Sequence, residues 1–131
     1  MDPSDTGGLL RRYLETIPDV QALKPLLHED VAFTLYTPRG KTRRGRDRIL
    51  GGLTREFENF YLPETFRLTV VNCFGDGVNA AARFEISAST HRGPYRNDYA
   101  IVARFTEGLL IEAWEYVDSA SAINQLAPRS E

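Results

Sequence analysis

A single carboxylate among apolar neighbours is the feature of this chain that points most directly to chemistry. The segment Leu109–Asp118 (LLIEAWEYVD) reads as a strand, in which every second side chain faces the same way. One face is Leu109, Ile111, Ala113, Glu115 and Val117; the other is Leu110, Glu112, Trp114, Tyr116 and then Asp118. Glu115 is the one charge on its face. Burying a carboxylate is costly unless it is paired, hydrogen-bonded or kept protonated. The position therefore calls either for a partner or for a pocket acid with a raised pKa. Other chemically active residue types are sparse. The one cysteine, Cys73, precludes an internal disulfide and a cysteine-rich metal site. His28 and His91 are too far apart in sequence to form a metal-ligand spacing. General acid/base chemistry with no metal and no redox cofactor is the expectation.

The chain that must position this acid has 131 residues, 42% of them hydrophobic, which suits one soluble domain with a real core. A net charge of −2 argues against a polyanion binder. No apolar run approaches the ~20 residues of a membrane span, and the opening MDPSDTGG is unlike a signal peptide. A cytoplasmic location, with no membrane or nucleic-acid partner, is expected. Residues 1–8 read as a disordered lead-in, 9–126 as one domain and 127–131 as a tail.

Leu9, Leu10, Tyr13, Leu14 and Ile17 recur at helical spacing up to Pro18. Asp19 can cap a second short helix that Pro25 kinks or breaks. Asp30–Thr37 alternates as a first strand. The run Arg39–Arg48 carries six basic residues and one acid, and reads as a solvated loop. A helix from about Arg46 places Ile49, Leu50, Leu53, Phe57 and Phe60 on one stripe. Gly51 and Gly52 in its middle suggest that something packs closely there. Beyond Pro63 the pattern is strand: Thr65–Phe74, a Gly75-Asp76-Gly77 turn, Val78–Thr90, a Gly-Pro loop over His91–Arg96, then Asn97–Phe105 and Leu109–Asp118 around Glu107-Gly108. Ser119–Leu126 reads as a closing helical turn or two. Helices first and a strand meander afterwards mean α+β. The architecture expected is a cone-shaped barrel, a curved and mostly antiparallel sheet wrapped around about three N-terminal helices, with a ligand cavity at its mouth.

The segments LLHEDVAF, RRGRDRI and RFTEGLLIEAWEYVD, behind a helix with a central Tyr, resemble the SnoaL-like branch of the nuclear-transport-factor-2-like superfamily. That branch includes polyketide cyclases, ketosteroid isomerases and limonene-epoxide hydrolases. The resemblance covers roughly Leu9 to Leu126 and implies a fold that hosts both enzymes and non-catalytic binding modules. Of the ketosteroid isomerase pattern, Tyr13 matches the helix oxyanion donor. The two carboxylate positions fall near Leu35 or Tyr36 and near Ile101, so both acids are absent. The limonene-epoxide-hydrolase pattern, Arg-x-Asp plus a last-strand Asp, is matched by Arg83-Phe84-Glu85 and Glu115 with Glu for each Asp. In the cyclase and phenazine-biosynthesis-like pattern, Arg44-Gly45-Arg46-Asp47 and the last-strand acid Glu115 match. The helix His of the phenazine type falls near Gly52 and is absent.

The resemblance implies Glu115, Glu85 and Arg83 as catalytic residues, and Tyr13, Tyr36, Tyr99 and Trp114 as substrate-binding residues with polar tips turned inward. Periodicity does not say which face of Val78–Thr90 is inner, so Arg83 and Glu85 stand equally well on a solvated outer face. The implied activity is cyclisation or isomerisation of a polyketide- or terpenoid-like intermediate. Epoxide hydrolysis and non-catalytic ligand binding or dimerisation are the alternatives. A small apolar organic molecule and a second copy of the chain are the expected partners.

Overall fold

The computed structural model describes residues 1–37 and 39–126; the expected tail, 127–131, lies outside the described residues. Helix α1 spans Thr6–Thr16 and starts inside the segment read as a loose lead-in. Local hydrogen bonds explain the early start. Asp5 Oδ1 accepts from Gly8 N at 3.0 Å, the usual side-chain N-cap. The buried Thr6 hydroxyl donates to the Asn79 carbonyl at 2.7 Å and ties the first turn to the sheet. Gly75 beneath it has no room for a side chain, because a Cβ would stand 2.5 Å from Gly7 N.

A 3-10 helix over Val20–Leu26 absorbs Pro25 and leads into strand β1, Leu27–Tyr36. The basic run then departs from its expectation as a loop. Gly40–Arg44 is strand β2, paired antiparallel with β1, and Arg46–Phe60 is helix α2. Strands β3 (Arg67–Gly75), β4 (Asn79–Thr90), β5 (Gly93–Thr106) and β6 (Leu109–Val117) form the meander, and α3 closes it at Ser119–Leu126. The segment read as a loop over His91–Arg96 shrinks to two turn residues, because β5 pairs with β4 from Gly93↔Thr90 onward. Glu107 and Gly108, at φ 51° and 79°, make the positive-φ hairpin turn that matches strand twist.

The sheet order is β2-β1-β6-β5-β4-β3, with β1 and β6 parallel and the other neighbours antiparallel. It is a curved, open sheet; α1 lies over β3 and β4, α2 over β1 and the 3-10 helix, and α3 against β5. This is the α+β half-open cone. Small residues line the middle of the concave face. Ala113, Ala103 and Ala80, in one cross-strand row, are almost wholly buried and let the helices sit close.

One irregularity changes the reading of β6. Arg104 pairs with Glu112 and Phe105 with Leu110, which leaves Ile111 as an extra residue, a β-bulge. Leu110 is therefore fully buried, and Ile111 is not on the face of Glu115. Beyond the bulge the alternation holds, and Ala113, Glu115 and Val117 face inward. Among the described residues no helix is long and apolar enough to cross a membrane.

Candidate active site

The concave face encloses a cavity of about 630 Å³ between α1, α2 and the sheet. Its walls are chiefly apolar and aromatic, and its polar groups are few. Glu115 is one of them. Backbone register fixes its place: Leu35 on β1 and Ile101 on β5 are its Cα partners. Both partners are hydrocarbon, so neither neighbouring strand offers Glu115 a charge or a hydrogen bond from these positions. Burial pushes the Glu115 carboxyl up from an ordinary 4.5 to about 8, and the nearby Glu56 carboxyl adds to the rise. At neutral pH it is an acid with a proton to give.

Glu56, on α2, is the second carboxylate of the cavity and was not among the residues singled out in the sequence. Burial raises its pKa too, opposed by the Arg43 guanidinium. A signal was available: Glu56 follows Gly52 by four positions and Leu53 by three, on the apolar stripe that runs to Phe60. Gly52 itself is explained by Arg43, whose Nη1 occupies the space that a Cβ there would need.

Four tyrosines surround the two acids. Tyr13 reaches in from α1 and is 2% exposed, and burial and the two carboxylates raise its pKa so that it stays protonated. On β5, the hydroxyls of Tyr95 and Tyr99 are 2.5 Å apart. Asn97 Nδ2 donates to Tyr95 at 3.3 Å and to the Asp118 carbonyl at 3.1 Å, which orients the pair. Tyr61 is delivered by the end of α2, where a bridge to Thr90 holds its backbone. Burial raises the pKa of all three of these phenols. They are neutral hydrogen-bond donors around an apolar space.

The expected site residues divide cleanly. Glu115, Tyr13 and Tyr99 converge on the cavity. Arg83, Glu85, Tyr36 and Trp114 do not. Phe84 and Ile86 are buried on the concave side, which sends their neighbours to the convex face. There the exposed Arg83 donates to Asn72 Oδ1 at 3.1 Å, and Glu85 lies 3.5 Å from Arg96. Tyr36 stacks on Tyr116 with ring centroids 4.6 Å apart, and Trp114 stands beside Val102 on the same outer surface. Hydrophobic burial decided the face, and the Arg-x-Glu spacing followed it outward. Among the described residues, no cluster of His, Cys, Asp and Glu is placed to hold a metal ion.

The chain matches the SnoaL-like domain family over residues 10–113. It belongs to that family. No curated protein matches it. Solved structures similar to this SnoaL-like domain share the nuclear-transport-factor-2-like cone. A phenazine biosynthesis-related protein from Pseudomonas aeruginosa has 15% identity, covers 98% of this chain and 85% of its own, and gives a TM-score of 0.80. A putative polyketide cyclase from Xanthomonas campestris pv. campestris has 18% identity, with 96% and 100% covered and a TM-score of 0.76. An M. tuberculosis limonene-epoxide-hydrolase-like epoxide hydrolase has 14% identity, with 93% and 89% covered and a TM-score of 0.76. At these identities the likeness establishes the SnoaL-like fold and leaves the reaction to be argued from the cavity.

Proposed function

We propose that this SnoaL-like domain is an enzyme that isomerises or cyclises a mainly apolar, polyketide- or terpenoid-like carbonyl compound by general acid/base catalysis. The observation that carries this reading is a carboxyl held protonated near neutrality inside an apolar cavity. Glu115 gives its proton, or a strong hydrogen bond, to a substrate carbonyl oxygen as negative charge builds there. Glu56, with the Arg43 cation beside it to favour its ionised form, takes the proton from the carbon next to that carbonyl. In isomerisation the proton returns to a different carbon. In cyclisation the enol carbon attacks a second carbonyl of the same molecule and a C–C bond forms; the new alkoxide takes the proton held by Glu56, and the re-formed first carbonyl returns its proton to Glu115. Tyr13 and the Tyr95–Tyr99 pair supply further donors to the developing oxyanion.

Epoxide opening is the lesser reading, since its arginine and second carboxylate stand outside the cavity. Reaction in ¹⁸O-labelled water separates the two, because hydrolysis puts label into the product and cyclisation or isomerisation does not. A binding module of the same shape is separated by Glu115→Gln. The enzyme reading expects turnover to fall while ligand affinity stays within a few-fold. Loss of binding with no turnover in the wild type sinks it. We also propose a homodimer through the convex sheet face, where Phe74, Tyr116 and Val102 are 64%, 46% and 41% exposed.

A further inference from the structure

The basic run that reads as a solvated loop becomes, in the fold, an edge strand whose alternate residues face the cavity. Lys41 is the Cα partner of Leu35, and Arg43 of Phe33; both partners line the cavity, as do Lys41 and Arg43 themselves and Arg39 just before them. Thr42 and Arg44 belong to the opposite face of the same strand. The placement of Arg43 is independently marked by Gly52, whose missing side chain makes room for the guanidinium against α2. Among the described residues, none of these three cations lies within 4.0 Å of a carboxylate, although Arg43 is near enough to Glu56 to favour its ionised form. A cavity walled chiefly by apolar and aromatic side chains thus has a cationic rim on one side and the Glu115 carboxyl deeper in.

We propose that the rim formed by Arg39, Lys41 and Arg43 is a subsite for an anionic head group, a carboxylate or phosphate, on an otherwise apolar substrate. This rests on the catalytic reading above and names its substrate class: an amphiphilic acid, its ring system in the aromatic cavity and its charge at β2. The sheet supplies the ruler. Lys41, Leu35 and Glu115 follow one another across three adjacent strands, so Lys41 is two strand spacings, roughly 10 Å at the backbone, from the catalytic acid. The head group therefore sits several bonds away from the reacting carbonyl. Charge at the rim also orients the substrate, since a second carboxylate is poorly placed beside the half-buried Glu56 and better placed at Lys41.

The test is equilibrium binding, which needs no turnover. Affinities of 2-naphthylacetate, 2-naphthyl phosphate and the neutral isostere 2-naphthylacetamide are measured by calorimetry on the wild type, the Lys41→Gln/Arg43→Gln variant and Glu115→Gln. The expected result is that at least one anion binds the wild type about tenfold or more tightly than the amide. That preference shrinks as salt rises. It falls to near unity in the double variant, while amide affinity there changes little. Which anion is preferred distinguishes a carboxylate site from a phosphate site. Equal affinity for anions and amide, a preference that survives the double variant, or no saturable binding of any probe overturns the proposal. In Glu115→Gln the preference persists, so a failure of the acid/base reading leaves this result standing, and the reverse holds too.

Discussion

The two faces of the sheet use the same residue types to opposite ends. On the convex face Glu85 lies beside Arg96, and Arg83 hydrogen-bonds Asn72, all within reach of water. On the concave face Glu115 has hydrocarbon on both neighbouring strands, and its proton is held to about pH 8. A carboxylate in solvent with an arginine nearby contributes little to stability. The same group inside an apolar-walled cavity becomes a weaker acid that holds its proton near neutrality. Strand β4 makes the contrast within three consecutive residues. Phe84 is 1% exposed and stacks on Tyr99 with centroids 5.0 Å apart, while Arg83 and Glu85 on either side of it lie on the other face. Environment, not residue type, makes the site.

Substitutions on the two faces should therefore differ sharply. The largest effect is expected from Glu115→Gln, which removes the proton donor and should lower turnover about 10²- to 10⁴-fold. The same variant tests the acid by stability. The folded-state pKa is raised, so between 4.5 and about 8 the unfolded chain releases a proton that the folded chain keeps. Stability from this group is full below the lower value and is lost as pH rises through the upper one. Wild-type Tm should fall by several degrees relative to Glu115→Gln between about pH 5 and pH 8, and the gap should then stay constant. A parallel pair of curves would mean that the carboxyl is solvated after all.

Phe84→Ala should cost about 3–5 kcal/mol in urea unfolding, as expected for deleting a buried aromatic ring. On the convex face, Val102→Asp should convert the proposed dimer to monomer in sedimentation while the monomer stays folded. A wild type that is already monomeric at micromolar concentration removes that part of the reading. The smallest effect is expected from Arg83→Ala and Glu85→Ala, each within about 0.5 kcal/mol in stability and without loss of turnover. A large loss of activity in either would return both residues to the chemistry and break the contrast between the faces.

Local patterns in the chain were enough for most of the elements, for the hairpin turns and for the inward face of Glu115, but not for β2 or for the starts of α1 and β5. Period-two alternation carried β3, β4 and the far end of β6. Helical spacing carried α1 and α2, and Asp76 between two glycines and Glu107-Gly108 carried the hairpins. The inward direction of Glu115 followed from Ala113 and Val117 beside it. What alternation leaves open is the choice of face, because exchanging the two sides of a strand preserves the pattern. That choice was made for β4 by Phe84 and Ile86 packing under the helices, and it carried Arg83 and Glu85 away from the cavity. Bulges at Val71 and Ile111, the parallel pairing of β1 with β6 and the docking of β2 are likewise non-local, since each depends on a partner distant in sequence. So is the pairing of Glu115 with Glu56 and a cationic rim. Sequence near each residue set its type and its likeliest backbone, while the company it keeps, and hence its protonation, was set only when strands and helices closed around a shared space.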